Sequence, residues 1–248
     1  MIEFRGVHKR FGEKVILDGV DLTCGSGEIL FVIGTSGAGK SVLIQQVIGL
    51  LKPDAGQIFV DGQDITNLSE RQFYAVRKKC ALVFQHATLF DSMTCAENVA
   101  LPLRKHFKLS ASAALTRAKD FLEMVQMETF ADAYPSAIGD GLRKRVAVAR
   151  ALTLEPSYIL FDEPTTSLDP VSARRVDGLI VDLARKQGVS CIVVSHDLRS
   201  IFTIADRVAM LYKGRVLALG TPAEIRASTD PIVGQFITGR REGPLETT

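Results

Sequence analysis

Short apolar runs separated by turn residues dominate the first third of the chain. Ile2 to Val7, Val15 to Leu22 and Glu28 to Ile33 read as strands, punctuated by Phe11-Gly12-Glu13 and Gly25-Ser26-Gly27. The third run ends in a glycine-rich loop and passes into Ser41 to Leu50, where apolar residues recur at helical spacing. Gln57 to Asp61 and Cys80 to Phe84 have the pattern of further strands, and from about Thr94 to Leu154 the chain turns helical, rich in Ala and Leu. Tyr158 to Phe161 and Cys191 to Val194 are apolar throughout, as expected for central strands of a parallel sheet covered on both faces. Each leads into a helical segment. Val208 to Leu211 and Val216 to Leu219 form a hairpin around Lys213-Gly214. The pattern is that of an α/β core with a helical insertion near 86–154.

Composition adds limits. The 248 residues are 46% hydrophobic and 23% charged, which is globular, not disordered. Thirty basic residues against 28 acidic ones leave a net charge of +2, without the basic excess of a duplex-tracking protein. No nucleic-acid partner is expected. The start, Met1 to Gly6, has neither the basic flank nor the apolar region of a secretory signal, and stretches such as Ile29 to Ile33 fall far short of the roughly 18 apolar residues that span a bilayer. Cys24, Cys80, Cys95 and Cys191 lack paired spacing and read as free thiols of a reducing cytosol.

The candidate chemistry begins at Gly34-Thr35-Ser36-Gly37-Ala38-Gly39-Lys40-Ser41, which fits G-x-x-x-x-G-K-[ST] between a strand and a helix. Glycines let the backbone curl so that several N–H groups converge on one phosphate chain, and the helix adds the positive end of its dipole. Lys40 is placed for the β- and γ-phosphates of ATP and Ser41 for Mg²⁺. Farther on, the strand Tyr158 to Phe161 ends in Asp162 and Glu163. Adjacent side chains at a strand end point in different directions, so one carboxylate can serve the Mg²⁺ shell while the other polarises the attacking water. His196 follows the strand Cys191 to Val194, at the carboxyl end where open α/β sheets bind ligands, and its neutral imidazole can hydrogen-bond a γ-phosphate oxygen.

Over essentially its whole length the chain resembles the ATP-binding subunits of ABC transporters. The resemblance implies a P-loop NTPase α/β fold of ABC type: a mostly parallel sheet, an N-terminal antiparallel β subdomain and a helical insertion. Residues 1–239 would form the ATP-binding domain, with a RecA-like core at about 1–85 and 155–220, a helical subdomain at about 86–154 and C-terminal helices at about 221–239; 240–248 would be a poorly packed tail. By the same resemblance Phe11, in place of the more usual tyrosine, stacks on adenine, and Gly34 to Ser41 with Val42 hold the nucleotide. Gln85 is the Q-loop glutamine, joining Ser41 and Asp162 at the metal. Glu163 and His196 act in catalysis, and Ser167-Leu168-Asp169 is the D-loop.

A narrower similarity, to the ATPases of the Mla/MCE class that serve phospholipid transport in bacterial envelopes, lies in Thr88 to Thr94, Glu97 to Arg104, Lys40 to Leu43 and the stretch Gln235 to Pro244. It implies an MlaE-like integral membrane permease docking near Gln85 to Arg104, an MCE-type lipid-binding protein in the wider complex, and a place on the cytoplasmic face of the inner membrane; the homodimer is implied by the wider ABC resemblance, in which each site needs a signature loop from another chain. Arg104, Lys105 and Lys108 read equally as a solvated face or as an approach to anionic head groups.

One motif departs from the family. Where L-S-G-G-Q is expected, Ile138-Gly139-Asp140-Gly141-Leu142 stands before the basic run Arg143-Lys144-Arg145. In the family this loop acts in trans on the γ-phosphate bound by the opposite subunit. Asp140 is read as the N-cap of a helix beginning at Gly141, either occupying donors that ATP would use or pointing away as a plain cap. A carboxylate about 4 Å from the phosphate would cost roughly 4 kcal/mol at an effective dielectric of 20, which Arg143 could offset. Slow or partner-regulated hydrolysis, or an ATP-binding subunit with little turnover, are the expected consequences.

Overall fold

The computed structural model describes residues 1–245. The chain runs β1 (Ile2–Phe11), β2 (Lys14–Cys24), β3 (Ile29–Ile33), α1 (Lys40–Val47), β4 (Ala55–Val60), β5 (Gln63–Asp64), α2 (Glu70–Lys79) and β6 (Cys80–Val83). The helical part follows as α3 (Cys95–Phe107), α4 (Ala111–Met124) and α5 (Asp140–Leu152). It returns through β7 (Tyr158–Asp162), α6 (Pro170–Gln187), β8 (Ser190–Val194), α7 (Leu198–Ile204), β9 (Arg207–Tyr212), β10 (Arg215–Gly220), α8 (Pro222–Arg226) and α9 (Pro231–Thr238).

Two sheets result. One is antiparallel, in the order β2-β1-β4-β5; the other is β10-β9-β3-β8-β7-β6, parallel except for its β9–β10 hairpin. The central strands β3, β7 and β8 are buried at every position, so alternate residues feed two different cores. Ile29, Phe31, Ile33, Ile159 and Phe161 face the core shared with α3 to α6, while Leu30, Val32, Tyr158 and Leu160 face the core beneath the antiparallel sheet and α1. The parallel register of β3 on β8 and β8 on β7 brings the carboxyl ends of all three to one edge.

Two expectations change. Periodicity gives no helix between Asp61 and Cys80, because only Phe73 and Val76 of α2 are buried; the capping box of Ser69 with Gln72 and the closing basic run Arg77 to Lys79 are what define it. The tail is also better anchored than its composition suggests. The Leu245 amide donates to Gln235 Oε1 (2.7 Å), the Gln235 amide donates to the Arg240 carbonyl (3.3 Å), and Leu245 packs on the main core. The remainder of the expected tail, 246–248, lies outside the described residues.

Phe161, fully buried on β7 immediately before Asp162, ties the site to the larger core. Replacing Phe161 with Ala should cost about 3–5 kcal/mol of unfolding free energy through the cavity it leaves. Urea unfolding of the purified variant checks this.

Candidate functional site

The loop after β3 is shaped by close approach. A Cβ at Gly39 (φ 98°) would lie 2.7 Å from Leu17 Cδ2 and 2.9 Å from the Ile16 carbonyl oxygen, and one at Gly34 (φ 142°) would strike the Leu211 carbonyl. Only glycine fits at these two points. α1 then starts at Lys40 with no acidic residue in its first turn, leaving its positive end toward the cleft. Lys40 Nζ donates to the carbonyls of Gly34 (2.9 Å) and Thr35 (3.0 Å), and burial pulls its pKa down against the raising influence of Glu163 and Asp162. A cleft of about 570 Å³ is lined by Gly34, Ser36, Gly37, Gly39, Lys40, Ser41 and Val42, with Gln85, Glu163 and His196 opposite. Ala38 is buried behind the loop, its amide closing on the Thr35 carbonyl. Phe11 stands exposed at the tip of the β1–β2 hairpin under Lys9 Nζ; its strand partner Lys14 lines the cleft.

Ser41 Oγ donates to Asp162 Oδ1 at 2.7 Å, joining the start of α1 to the end of β7. Burial pushes the Asp162 carboxyl above its ordinary range, opposed by that hydrogen bond. Two such oxygens side by side, with Gln85 on the same cleft, are the hard donors that Mg²⁺ prefers. The residues therefore fit the ion. Glu163 takes a left-handed backbone (φ 50°), its amide donating to the Val194 carbonyl (2.9 Å). Its carboxylate has partners different from those of Asp162. Glu163 Oε2 accepts from Thr166 Oγ1 (3.0 Å) and lies 2.8 Å from His196 Nδ1.

Asp140 is not the cap of α5. Gly139 takes that position and Asp140 is the first helical residue, making no capping hydrogen bond. Its carboxylate pairs instead with Arg143 (2.8 Å), one helical turn on. Gly141 packs under Ser172 and Leu168, whose atoms would lie 3.1 and 3.7 Å from an added Cβ. The signature region and the 167–169 loop thus adjoin within the chain. Ser167 is left-handed (φ 65°), and Asp169 caps α6 through the amides of Val171 and Ser172. Asp140 and Ser167 line a second cleft, of about 300 Å³, that shares Gln85 with the first.

Several supporting residues escaped the sequence reading. Lys144 is buried beneath the turn after Glu163, and Thr166 orients that carboxylate. Arg174 bridges Asp177 on its own helix and Asp197, the neighbour of His196 (2.6 and 3.0 Å). Motif spacing is blind to them: Lys144 and Arg174 reach partners some twenty residues away, on a main-chain carbonyl and on Asp197, and Thr166 acts only through the Glu163 carboxylate. The available hint for Lys144 was the unbroken apolar run Val146 to Ala149, which marks α5 as buried on most sides.

The "ABC transporter" family profile matches residues 17–166, from inside β2 through the Glu163–Thr166 turn. The chain belongs to the ABC transporter ATP-binding family. The methionine import ATP-binding protein MetN of Rhizobium johnstonii is 40% identical over 97% of this chain and 67% of its own length. The intermembrane phospholipid transport ATP-binding protein MlaF of Escherichia coli K12 is 37% identical over 99% of this chain and 91% of its own. Among solved structures, a dimeric ATP-binding cassette in a post-hydrolysis state bound to ADP and Pi superposes with a TM-score of 0.82 at 31% identity, covering 90% of this chain and 99% of that one. The α/β ABC fold, ATP as substrate and Mg²⁺ as its companion ion follow for this ABC subunit.

The burial of Asp162 has a thermodynamic signature. A carboxyl whose folded pKa lies above its ordinary 3.8 binds its proton more readily folded than unfolded, so its contribution to stability falls as pH rises through that interval. Asp162→Asn should therefore raise the melting temperature of the nucleotide-free ABC subunit at pH 7, with the gain shrinking toward pH 4. Differential scanning calorimetry across that range reads it directly.

Proposed function

We propose that this ABC subunit works as a homodimer on the cytoplasmic face of the inner membrane, powering an MlaE-like permease in phospholipid transport across a bacterial envelope. The observation that carries the chemistry is the Ser41–Asp162 pair (2.7 Å) beside Glu163 and His196 (2.8 Å) at one sheet edge. The loop amides and Lys40 take the phosphates, Phe11 the adenine, and Ser41, Asp162 and Gln85 the Mg²⁺, which supplies charge neutralisation at the phosphates. Glu163 accepts the proton of the attacking water, and His196 and Thr166 hold that carboxylate in place. Gly139 to Gly141 and the loop Ser167 to Asp169 face the partner subunit's nucleotide.

The lipid assignment rests on the similarity to MlaF, which runs nearly end to end on both chains. Docking at Gln85 to Arg104 is supported by the surface there. Asn98 ties the Phe90 amide and the carbonyls of Phe90, Met93 and Thr94 into one knot, leaving Phe90 exposed. A groove lined by Ile48, Leu82, Phe84, Pro102 and Arg150 lies alongside. An MCE-type lipid-binding protein completes the complex in this reading.

A second reading, ATP-dependent assembly with little turnover, draws on Asp140 at the head of α5. Its pairing with Arg143 lowers the electrostatic obstacle without restoring the serine that Gly139 replaces.

Glu163→Gln should lower steady-state hydrolysis by about 100-fold or more while Mg·ATP binding persists, and Lys40→Ala should abolish binding by calorimetry. An equally slow rate in wild type and Glu163→Gln favours the second reading. Restoring Gly139→Ser with Asp140→Gly should increase turnover in the purified complex; no change, or a decrease, removes the signature loop as the brake. Lipid analysis of the complex, isolated in mild detergent, should recover phospholipid, and a small-solute importer without lipid would overturn the pathway.

A further inference from the structure

Lys144 stands five residues after Gly139, on the helix that the signature loop begins, yet it points inward with only 5% of its surface exposed. Buried ammonium groups are retained where a specific acceptor holds them. Here Lys144 Nζ donates to the main-chain carbonyls of Thr166 (2.7 Å) and Glu163 (3.2 Å). Those carbonyls bracket the turn that carries Glu163 in its left-handed conformation, an unfavourable one for a residue with a Cβ. The same turn brings Thr166 Oγ1 onto Glu163 Oε2. Within the turn, the Thr166 amide reaches the Glu163 carbonyl at only 3.4 Å, so it does not hold itself closed tightly. From the helical part of the fold, the ammonium thus grips both ends of the catalytic turn.

We propose that Lys144 is a positioning residue for ATP hydrolysis, clamping the Glu163–Thr166 turn so that the aim of the Glu163 carboxylate depends on where α5 sits. The inference rests on Glu163 being the residue that takes the water's proton. It deepens that reading, because it links the face of α5 that meets the partner subunit to the base in its own chain. Asp140 and Arg143 report outward on the helix's first turn and Lys144 reports inward. A shift of α5 would withdraw the clamp and release the turn without disturbing the phosphate loop, which lies on a different helix and strand.

The test compares Lys144→Met, Lys144→Arg and Glu163→Gln in the full-length dimer, measuring kcat and KM for Mg·ATP, nucleotide affinity and melting temperature. Lys144→Met should lower kcat about ten-fold with KM and affinity unchanged within about two-fold, and Lys144→Arg, which can still donate to both carbonyls, should recover most of the rate. A wild-type kcat in Lys144→Met overturns the inference, as does a loss of nucleotide affinity at unchanged kcat. Should Lys144→Met fail to fold, Lys144→Ala, which removes the donor with less bulk, carries the same comparison: a kcat loss at constant KM supports the clamp and a wild-type kcat refutes it. Undiminished hydrolysis in Glu163→Gln would instead remove the underlying assignment of the base, whatever Lys144 does.

Discussion

The hydrogen bond from Ser41 to Asp162 spans the molecule's central constraint: the first residues of α1 and the last residue of β7 must meet at one sheet edge. They can do so because β8 lies between β3 and β7 in matched parallel register, placing Ile33, Asp162 and Val194 near the same rim. Three further groups of the site are hung from that rim. His196 follows β8, Glu163 follows β7, and Gln85 follows β6, the next strand out. An open parallel sheet gathers the carboxyl ends of sequence-distant strands, and with them the loops that do chemistry. The two cores on either face of β3, β7 and β8 hold that rim rigid.

Rigidity at the rim is obtained at some cost in polar burial. Asp162 and Lys40 are both largely removed from water, and burial shifts each toward its neutral form, the carboxyl upward and the amine downward. Their partners only partly offset this: a serine hydroxyl for one, two loop carbonyls for the other. A site built purely for stability would not retain such groups. They become favourable once phosphate charge and a divalent ion enter the same volume, so the strain in the protein alone is the counterpart of affinity for its substrate.

Much of this was legible in the sequence, and the boundary of legibility has a physical form. Gly34 to Ser41, Asp162, Glu163 and His196 announce themselves because local backbone shape and strand ends fix where they point, and the structure brings them into one cleft. The fully apolar runs at 158–161 and 191–194 likewise named the central strands. What failed was anything decided by a single residue of register or by a distant acceptor. Aspartate favours the cap role that the sequence suggests for Asp140, but the chain enters α5 one residue earlier, at Gly139, and the carboxylate turns to Arg143. The basic run 143–145 reads as one patch yet divides three ways: Arg143 to Asp140, Lys144 to the Glu163–Thr166 turn, and Arg145 to the Val125 carbonyl. Successive residues on a helix face different surroundings, and composition alone cannot assign them.

That division gives α5 a particular place in the molecule. Its N-terminus adjoins the 167–169 loop through Gly141, its second turn reaches under Glu163, and its last turn carries Arg150, whose guanidinium donates to the carbonyls of Ala87 and Thr88 just beyond Gln85. Thr88 is itself left-handed (φ 46°), so a second strained turn next to the site is held by a cation from the same helix. One rigid rod therefore touches both segments that flank the nucleotide cleft. The stretch after Gln85 and the turn after Glu163 are thus joined by two hydrogen-bonded cations and the helix between them, a chain of contacts that does not pass through the phosphate loop.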